Sequence, residues 1–430
     1  MDYAANQKEQ IDKQLKFLGI ESIEKLFEAV PRSLLQKAPK EDDGLSEMEA
    51  FQKIVSIGKK NKFPEYKNYL GGGSYEHYVP AIVSFIAQNS AFLTSYTPYQ
   101  AEAAQGYLQA MFEYQSAITT LTQMDVAIGS VYDGASASSE AVLMALRVHP
   151  NRRKVIFAST INPRYQGVID QYIKGLGIES VFIPAKDDKS LDFDALKTAI
   201  DSNTAAIVVQ SPNYLGLIED VKQVSEIKRD ALLIMIANPM SFGLYAAPGE
   251  LGVDISVGDT QPFGIPLQFG GPYAGYMAAK SAYVRQLPGR IVGETTDSKG
   301  ERGFVLVLQT REQHIRREKA TSNICTNQAL MSLSTLVSLL WYGKEGLPKL
   351  AKLNYERAMY LKTGLEKMGF KTIPGPIFNE FWVGISNLKP FKEKKIAPGI
   401  VHQNGLIVAV TETKTLEDLD LYLNAAKESL

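Results

Sequence analysis

The chain has 430 residues, 45% of them hydrophobic, and its 46 Lys and Arg stand against 47 Asp and Glu. That length supports a large core divided among two or three domains, and the balanced charge argues against a nucleic-acid partner and against an acidic solvating tail. One cysteine, Cys325, excludes an internal disulfide and fits a reducing compartment; with an N-terminal stretch that lacks an apolar signal core, it leads us to expect a cytoplasmic protein.

Residues 1–61 read as a helical arm. Ile11, Leu15 and Leu18 share one helical face, and Ile23, Leu26, Phe27 and Val30 repeat at i, i+3, i+4, i+7 behind a candidate N-cap at Ser22. "KAPKEDDG" (37–44) reads as a charged loop. From residue 62 the sequence turns to glycine and tyrosine in "FPEYKNYLGGGSYEHYVP". After "LTSYTPYQAE" (93–102), Tyr107, Met111, Tyr114, Ile118 and Leu121 recur at helical spacing, a stripe we assign to the core. Short runs then alternate with helical sequence: "AIGSVYDG", "KVIFAST", "SVFIPA", "AAIVVQSPN", "LLIMIANP", "LGVDISVGDT" and "AGYMAAK". That alternation predicts a mostly parallel, doubly wound sheet, so residues 62–310 are expected to form one large α/β domain. Residues 320–343 carry no charge, but their serines, threonines and asparagines describe a polar loop feeding a buried helix, not the ~20 apolar residues of a membrane span. Residues 311–430 are expected to hold this connecting helix and a small α+β domain built from "FKTIPG", "NEFWVGI", "GLIVAV" and the helix "TLEDLDLYLNAAKESL".

Four stretches carry residue types suited to chemistry. In "SVYDGASASSEAVLMA" (130–145), backbone N–H groups at Gly134, Ala135 and Ser136, with the hydroxyls of Ser136, Ser138 and Ser139, suit a phosphate, although a tight turn with a serine N-cap explains the same residues more simply. Ser95, Tyr96, Pro98, Tyr99 and Gln100 crowd together before a helix, as a binding surface or an ordinary capped loop would. Between residues 287 and 328, Arg290, Arg302, Arg311, Arg316, Arg317 and Lys319 lie close together with His314 among them. Their guanidinium forks suit carboxylate or phosphate, while Glu294, Glu301, Glu312 and Glu318 offer the alternative of a self-balanced solvated face. Finally, "GDTQPFGIPLQFGGPYAG" (258–275) has the strand-and-turn form on which many amino-acid enzymes carry a lysine bonded to pyridoxal phosphate, yet its turn offers Thr260, Gln261 and Pro262. No zinc-spaced Cys/His cluster, nucleotide-triphosphate loop, dinucleotide fingerprint or nucleophile elbow is present, no metal is expected, and His149 in "RVHPN" reads as a helix-end residue.

Taken together, "YLGGGSYEHYVP", "TSYTPYQAEAAQG", "YDGASA", "GIPLQFGGPYAG" and the long block at 287–330 resemble the family of glycine dehydrogenase (decarboxylating) subunit 1, the N-terminal half of the P-protein of the glycine cleavage system made as a separate chain. The resemblance runs from near the N-terminus to "VTETKT" (410–415) and weakens over 376–405, which looks shortened. It implies an aspartate-aminotransferase-like fold (pyridoxal phosphate fold type I) with large and small domains, and a partner, subunit 2, that carries the cofactor lysine in an "HKTF" motif. Laying Phe263-Gly264-Ile265-Pro266 on that motif puts Gln261 at the lysine's place, and "IANP" puts Asn238 where relatives hold an aspartate under the pyridinium nitrogen.

The resemblance thus implies a subunit without its own cofactor, with glycine as substrate, the lipoyl arm of the H-protein as acceptor and a two-plus-two heterotetramer. Ser95, Tyr96, Pro98, Tyr99 and Gln100 are then expected to complete the partner's pocket, with Thr321, Ser322 and Asn323 as a second set facing the cofactor phosphate. Gly134, Ala135 and Ser136 become a vestigial phosphate loop, and Arg290, Arg311, His314, Arg316 and Arg317 become docking or anion contacts. The competing expectations are a structural or regulatory homologue without catalytic role and a self-sufficient pyridoxal phosphate enzyme using Lys280 or Lys319.

Overall fold

The computed structural model describes residues 6–35 and 44–430; the expected charged loop at 37–44 lies outside them except for Gly44. The chain divides into two units, 1–63 and 64–430. In the first, the helix Lys8–Leu18 closes on Gly19 in the left-handed conformation (φ 67°), and the helix Glu47–Gly58 starts from a capping box formed by Ser46 and Glu49. The apolar set starting at Ile23 forms only a short 3-10 turn, Ile23–Phe27, and Ser22 precedes it without a side-chain cap bond. Pro31, with no N–H and a steric bias on the residue before it, bars an α-helix from running through this stretch.

The second unit is built on a seven-stranded sheet. Its strands are β1 (Val126–Ala127), β2 (Lys154–Ala158), β3 (Glu179–Ile183), β4 (Thr204–Gln210), β5 (Leu232–Ala237), β6 (Ile255–Asp259) and β7 (Gly275–Ala279). They lie in the order β1-β7-β6-β5-β4-β2-β3. Neighbours from β6 through β3 are parallel, and β7 runs antiparallel to both β6 and β1. Every residue of β2, β5, β6 and β7 is buried, as strands covered on both faces require. The expected strand "AIGSVYDG" shrinks to β1 and a single bridge from Val131 to Gly275, because the Gly129 N–H leaves the sheet to donate to the Arg290 carbonyl at 2.8 Å.

The helix Gln105–Thr122 buries Tyr107, Met111, Tyr114 and Ile118, as its stripe predicts, with Leu121 partly covered. On it packs an antiparallel hairpin, Ile291–Thr296 with Arg302–Val307, through Val292, Phe304 and Leu306. Residues 320–328 form an irregular loop, and the helix Ala329–Lys367 follows, broken at Gly343. Its first half buries Ser332, Ser334, Thr335 and Ser338 beside Leu333 and Leu336, so a buried helix reads as polar in sequence. Among the described residues no helix is long and apolar enough to cross a membrane.

At the C-terminal end, Glu380–Val383, Gly405–Ala409 and Ile400–His402 form an antiparallel sheet in that spatial order, backed by the helix Leu416–Lys427 with a Thr415–Asp418 capping box. "FKTIPG" contributes only a bridge from Thr372 to Val383, since Pro374 cannot donate to a ladder. The stretch 376–405 holds, besides strand residues, the short helix Lys389–Glu393 and Ile396–Ala397, which pairs with Lys67–Asn68.

Candidate functional site

The turn after β6 is closed by its own side chains. Gln261 is 1% exposed; its Oε1 accepts from the Tyr75 N–H at 2.9 Å, and its Nε2 donates to the carbonyls of Tyr75 (2.8 Å) and Ile265 (2.9 Å). Both donors and the acceptor of the amide are therefore satisfied inside the chain. Gly264 completes the turn at φ 75°, where a Cβ would also press on Ser338 at 2.9 Å. The Tyr75 hydroxyl donates to Glu380 Oε2 (3.0 Å), and Gly72 N–H donates to Glu380 Oε1 (2.6 Å). Asp259 ends β6 and accepts from Gln261 N–H (2.8 Å) and Gly134 N–H (3.1 Å). Burial pushes the carboxyls of Asp259 and Glu380 each up to about 7, against the pull of these donors. Between them lies a cavity of about 30 Å³, lined also by Tyr75, Asn162, Tyr165 and Asn238. It admits a water molecule but no ring with a phosphate attached. Asn238 Oδ1 accepts from Met240 N–H, and its Nδ2 has no hydrogen-bond partner.

The turn at 133–136 meets this cavity from the other side. The cap of the helix Gly134–Val148 is Asp133, not a serine: its Oδ1 accepts from Ser136 N–H at 2.7 Å. The Ser138 and Ser139 hydroxyls turn back on the helix, to the Gly134 and Ala135 carbonyls, so they are not free donors. Two of the N–H groups that would hold a phosphate already face carboxylates, and a Cβ at Gly134 would meet Tyr165 Oη at 2.4 Å.

The 95–100 stretch lies on the outer surface of the unit except for Pro98, which is buried. Tyr96 is 76% exposed, and Ser95, Tyr96, Thr97 and Pro98 line an open depression of about 340 Å³ with Tyr107. The Ser95 hydroxyl donates to the Ala91 carbonyl at 2.6 Å; Gln100 is exposed at the start of a 3-10 turn. Tyr99, half-exposed, meets the arginine block: Arg290 Nη2 donates to its hydroxyl at 2.9 Å, and the His314 ring lies 5.1 Å from its own.

That block is not one patch. Arg290 is buried, whereas Arg311 is half-buried and donates to the Leu308 and Gly289 carbonyls, with burial lowering its pKa. Arg316 and Arg317 are exposed, Arg316 donating to the Thr310 carbonyl. Arg302 pairs with Glu294 across the hairpin at 2.8 Å, the self-balanced arrangement that the sequence left open. Thr321 N–H donates to the Arg311 carbonyl, and Asn323 is exposed. Ser322 is turned inward: its hydroxyl donates to Glu140 Oε1 at 2.7 Å, and burial raises the Glu140 pKa against that bond and Arg147. The alternative lysine Lys280 pairs with Asp254 (2.7 Å) just past β7, at the opposite end of the strands from Gln261. His149 caps the C-terminus of the helix Gly134–Val148.

The model of the family described as "Glycine cleavage system P-protein" matches residues 1–425. A probable glycine dehydrogenase (decarboxylating) subunit 1 of Protochlamydia amoebophila is 52% identical over the whole of both chains, and one of Geobacillus sp. is 42% identical over 96% of this chain and 95% of its own. Among solved structures, the crystal structure of glycine decarboxylase (P-protein) of the glycine cleavage system in inhibitor-bound form superposes with a TM-score of 0.89 at 37% identity, covering both chains fully. A sphingosine-1-phosphate lyase of Burkholderia pseudomallei, at 15% identity, TM-score 0.67 and 92% of each chain, shares the pyridoxal phosphate type I fold.

Proposed function

The chain belongs to the glycine cleavage system P-protein family, and from that premise we propose that it is the subunit of a glycine decarboxylase that anchors no cofactor and completes the active site of a second subunit. What supports this reading most is the buried amide of Gln261, which the family resemblance lays on the place of the cofactor lysine. An amide cannot form a Schiff base, and its three hydrogen bonds bind it into the turn. The surroundings support the same reading, because the residues present do not fit pyridoxal phosphate. The cavity holds about 30 Å³, Asn238 brings no charge to a pyridinium nitrogen, and carboxylates occupy the N–H groups of Gly134 and Ser136.

The partner is subunit 2, a reading supported by the relatives being named subunit 1. Pyridoxal phosphate held there supplies an electron sink for the bond that releases carbon dioxide from glycine. This chain contributes from outside: the Tyr96 and Tyr99 hydroxyls donate hydrogen bonds to the bound substrate while their rings wall off water, buried Pro98 backs them, Ser95 and Gln100 shape the same rim, and Thr321 and Asn323 offer hydroxyl and amide donors beside Ser322. The lipoyl arm of the H-protein takes the aminomethyl group, with the exposed Arg316 and Arg317 available for docking. The assembly is a two-plus-two heterotetramer in the cytoplasm, and its parts in this chain are an arm (1–61), a large domain (62–310) and a connecting helix with small domain (311–430).

The test is co-expression with subunit 2 and measurement of glycine-dependent carbon dioxide exchange with lipoylated H-protein. Tyr96→Phe or Tyr99→Phe is expected to lower turnover by about tenfold or more, with the complex still assembled. Unchanged kinetics in both variants would remove the pocket-completing role and favour a structural homologue.

A further inference from the structure

Arg290 is 3% exposed and has one unusual occupation: it reaches outward to hold a half-exposed phenol. Its Nη2 donates to the Tyr99 hydroxyl at 2.9 Å, and its guanidinium carbon lies 5.2 Å from the Tyr99 ring centroid. Behind it, Nε stands 3.6 Å from Glu312 Oε2, too long for a hydrogen bond, and it has no other partner. Glu312 in turn lies 3.5 Å from His314 Nδ1, and the His314 ring packs on Tyr99. Two residues that share one carboxylate therefore clasp the same phenol. Desolvating a guanidinium is unfavourable, and an apolar side chain would anchor a surface loop without that penalty.

The hydrogen-bond chemistry allows one direction. Arginine has donors and no acceptor, so the phenol oxygen must accept and its own proton must point away from Arg290, free for another acceptor. A cation donating to the oxygen also polarises the O–H and makes it a stronger donor. We infer that Arg290, steadied by Glu312, is a positioning residue that fixes Tyr99 as an outward hydrogen-bond donor to an oxyanion held by the partner chain. This rests on the pocket-completing reading given above. Two oxyanions share the required chemistry, the carboxylate of bound glycine and the phosphate of the partner's cofactor.

The test has two arms. In the isolated full-length chain carrying fluorotyrosine at position 99, Arg290→Met is expected to shift the fluorine resonance, and Arg290→Lys to shift it less. In the complex with subunit 2, Arg290→Met is expected to match the defect of Tyr99→Phe, and the double variant to be no worse than either alone. A rise in the KM for glycine of about tenfold or more at full cofactor content assigns the carboxylate, and lost cofactor content assigns the phosphate. Arg290→Lys should recover part of the loss. If Arg290→Met does not fold, Glu312→Gln is expected to show the same defect in milder form. An unshifted resonance, a normal Arg290→Met beside a defective Tyr99→Phe, or effects that multiply independently would each overturn the inference. A shifted resonance with a fully active Tyr99→Phe overturns it differently: the contact is then real but structural, and the pocket-completing reading itself fails at Tyr99.

Discussion

At the scale of single residues, Gln261 is a structural staple. Replacing it with leucine strands the Tyr75 N–H and the carbonyls of Tyr75 and Ile265 in a buried place, and is expected to cost about 2–4 kcal/mol, read as a lower urea midpoint at unchanged slope. Gln261→Lys introduces an amine but not the space for a cofactor, so the purified variant should stay colourless when incubated with pyridoxal phosphate; a yellow protein would show that the cavity opens readily. Gln261 and Asn238 stand out in the sequence because each sits in a local motif. Tyr75 and Glu380 do not stand out in the sequence because they matter through contacts 186 and 305 residues apart along the chain, and Asp259 because its bond from Gly134 spans 125. Asp259 did leave a signal, a carboxylate ending a strand that is otherwise apolar or small, "ISVGD".

At the scale of elements, the loop 72–78 is fastened to the C-terminal strands by alternating contacts. Glu380 takes Gly72 and Tyr75, Lys414 pairs with Glu76 at 2.9 Å, and Glu412 takes His77 at 2.9 Å and the Tyr78 N–H at 2.7 Å. Two carboxyls in this fastening titrate in opposite senses. Burial alone would raise Glu412, but the charge and hydrogen bond of His77 and the Tyr78 N–H hold it down at about 2. Its stabilisation is therefore complete above the ordinary glutamate range and lost as pH falls through about 2. Glu380, raised by burial to about 7, behaves the other way: its contribution is complete below the ordinary range and lost as pH rises through about 7. Glu380→Gln keeps the shape and is expected to spare about 2.5 kcal/mol of the stability lost between pH 5 and pH 8. Melting curves at the two pH values check it, and parallel pH profiles for wild type and variant would contradict it. Strands β2 to β6 were legible as apolar runs. The sense of β7 was not, since direction leaves no mark on composition, and neither was Ile400–His402, a three-residue edge strand whose middle residue, Val401, is turned to water.

At the scale of the whole molecule, every buried hydrophobic residue among the described ones lies at or beyond Tyr69. The unit 64–430 thus owns its core, whereas neither α-helix of the first unit buries a side chain. A chain beginning at residue 64 is expected to fold with a melting temperature within about 3 °C of full length, measured by calorimetry, and a much larger fall would show that the first unit is part of the stability of the second. The doubly wound architecture was legible at this scale, because alternation of strands and helices survives local errors such as the shortened β1. The placing of the arginine block was not: charge spacing along the chain does not say that Arg290 turns inward while Arg316 and Arg317 stay in water.

The pairing of β1 with β7 has a consequence for synthesis. The ribosome delivers the helix Gln105–Thr122 and β1 early, but the strand that covers them is made only after β2 through β6 have emerged. The five parallel strands can assemble as they appear, while Tyr114 and Ile118 wait without Tyr276 and Ala278, their packing partners in the finished protein. The nascent chain therefore carries an uncovered apolar surface for most of the time needed to make the large sheet, and the first residues of that sheet to leave the ribosome are among the last to be sealed.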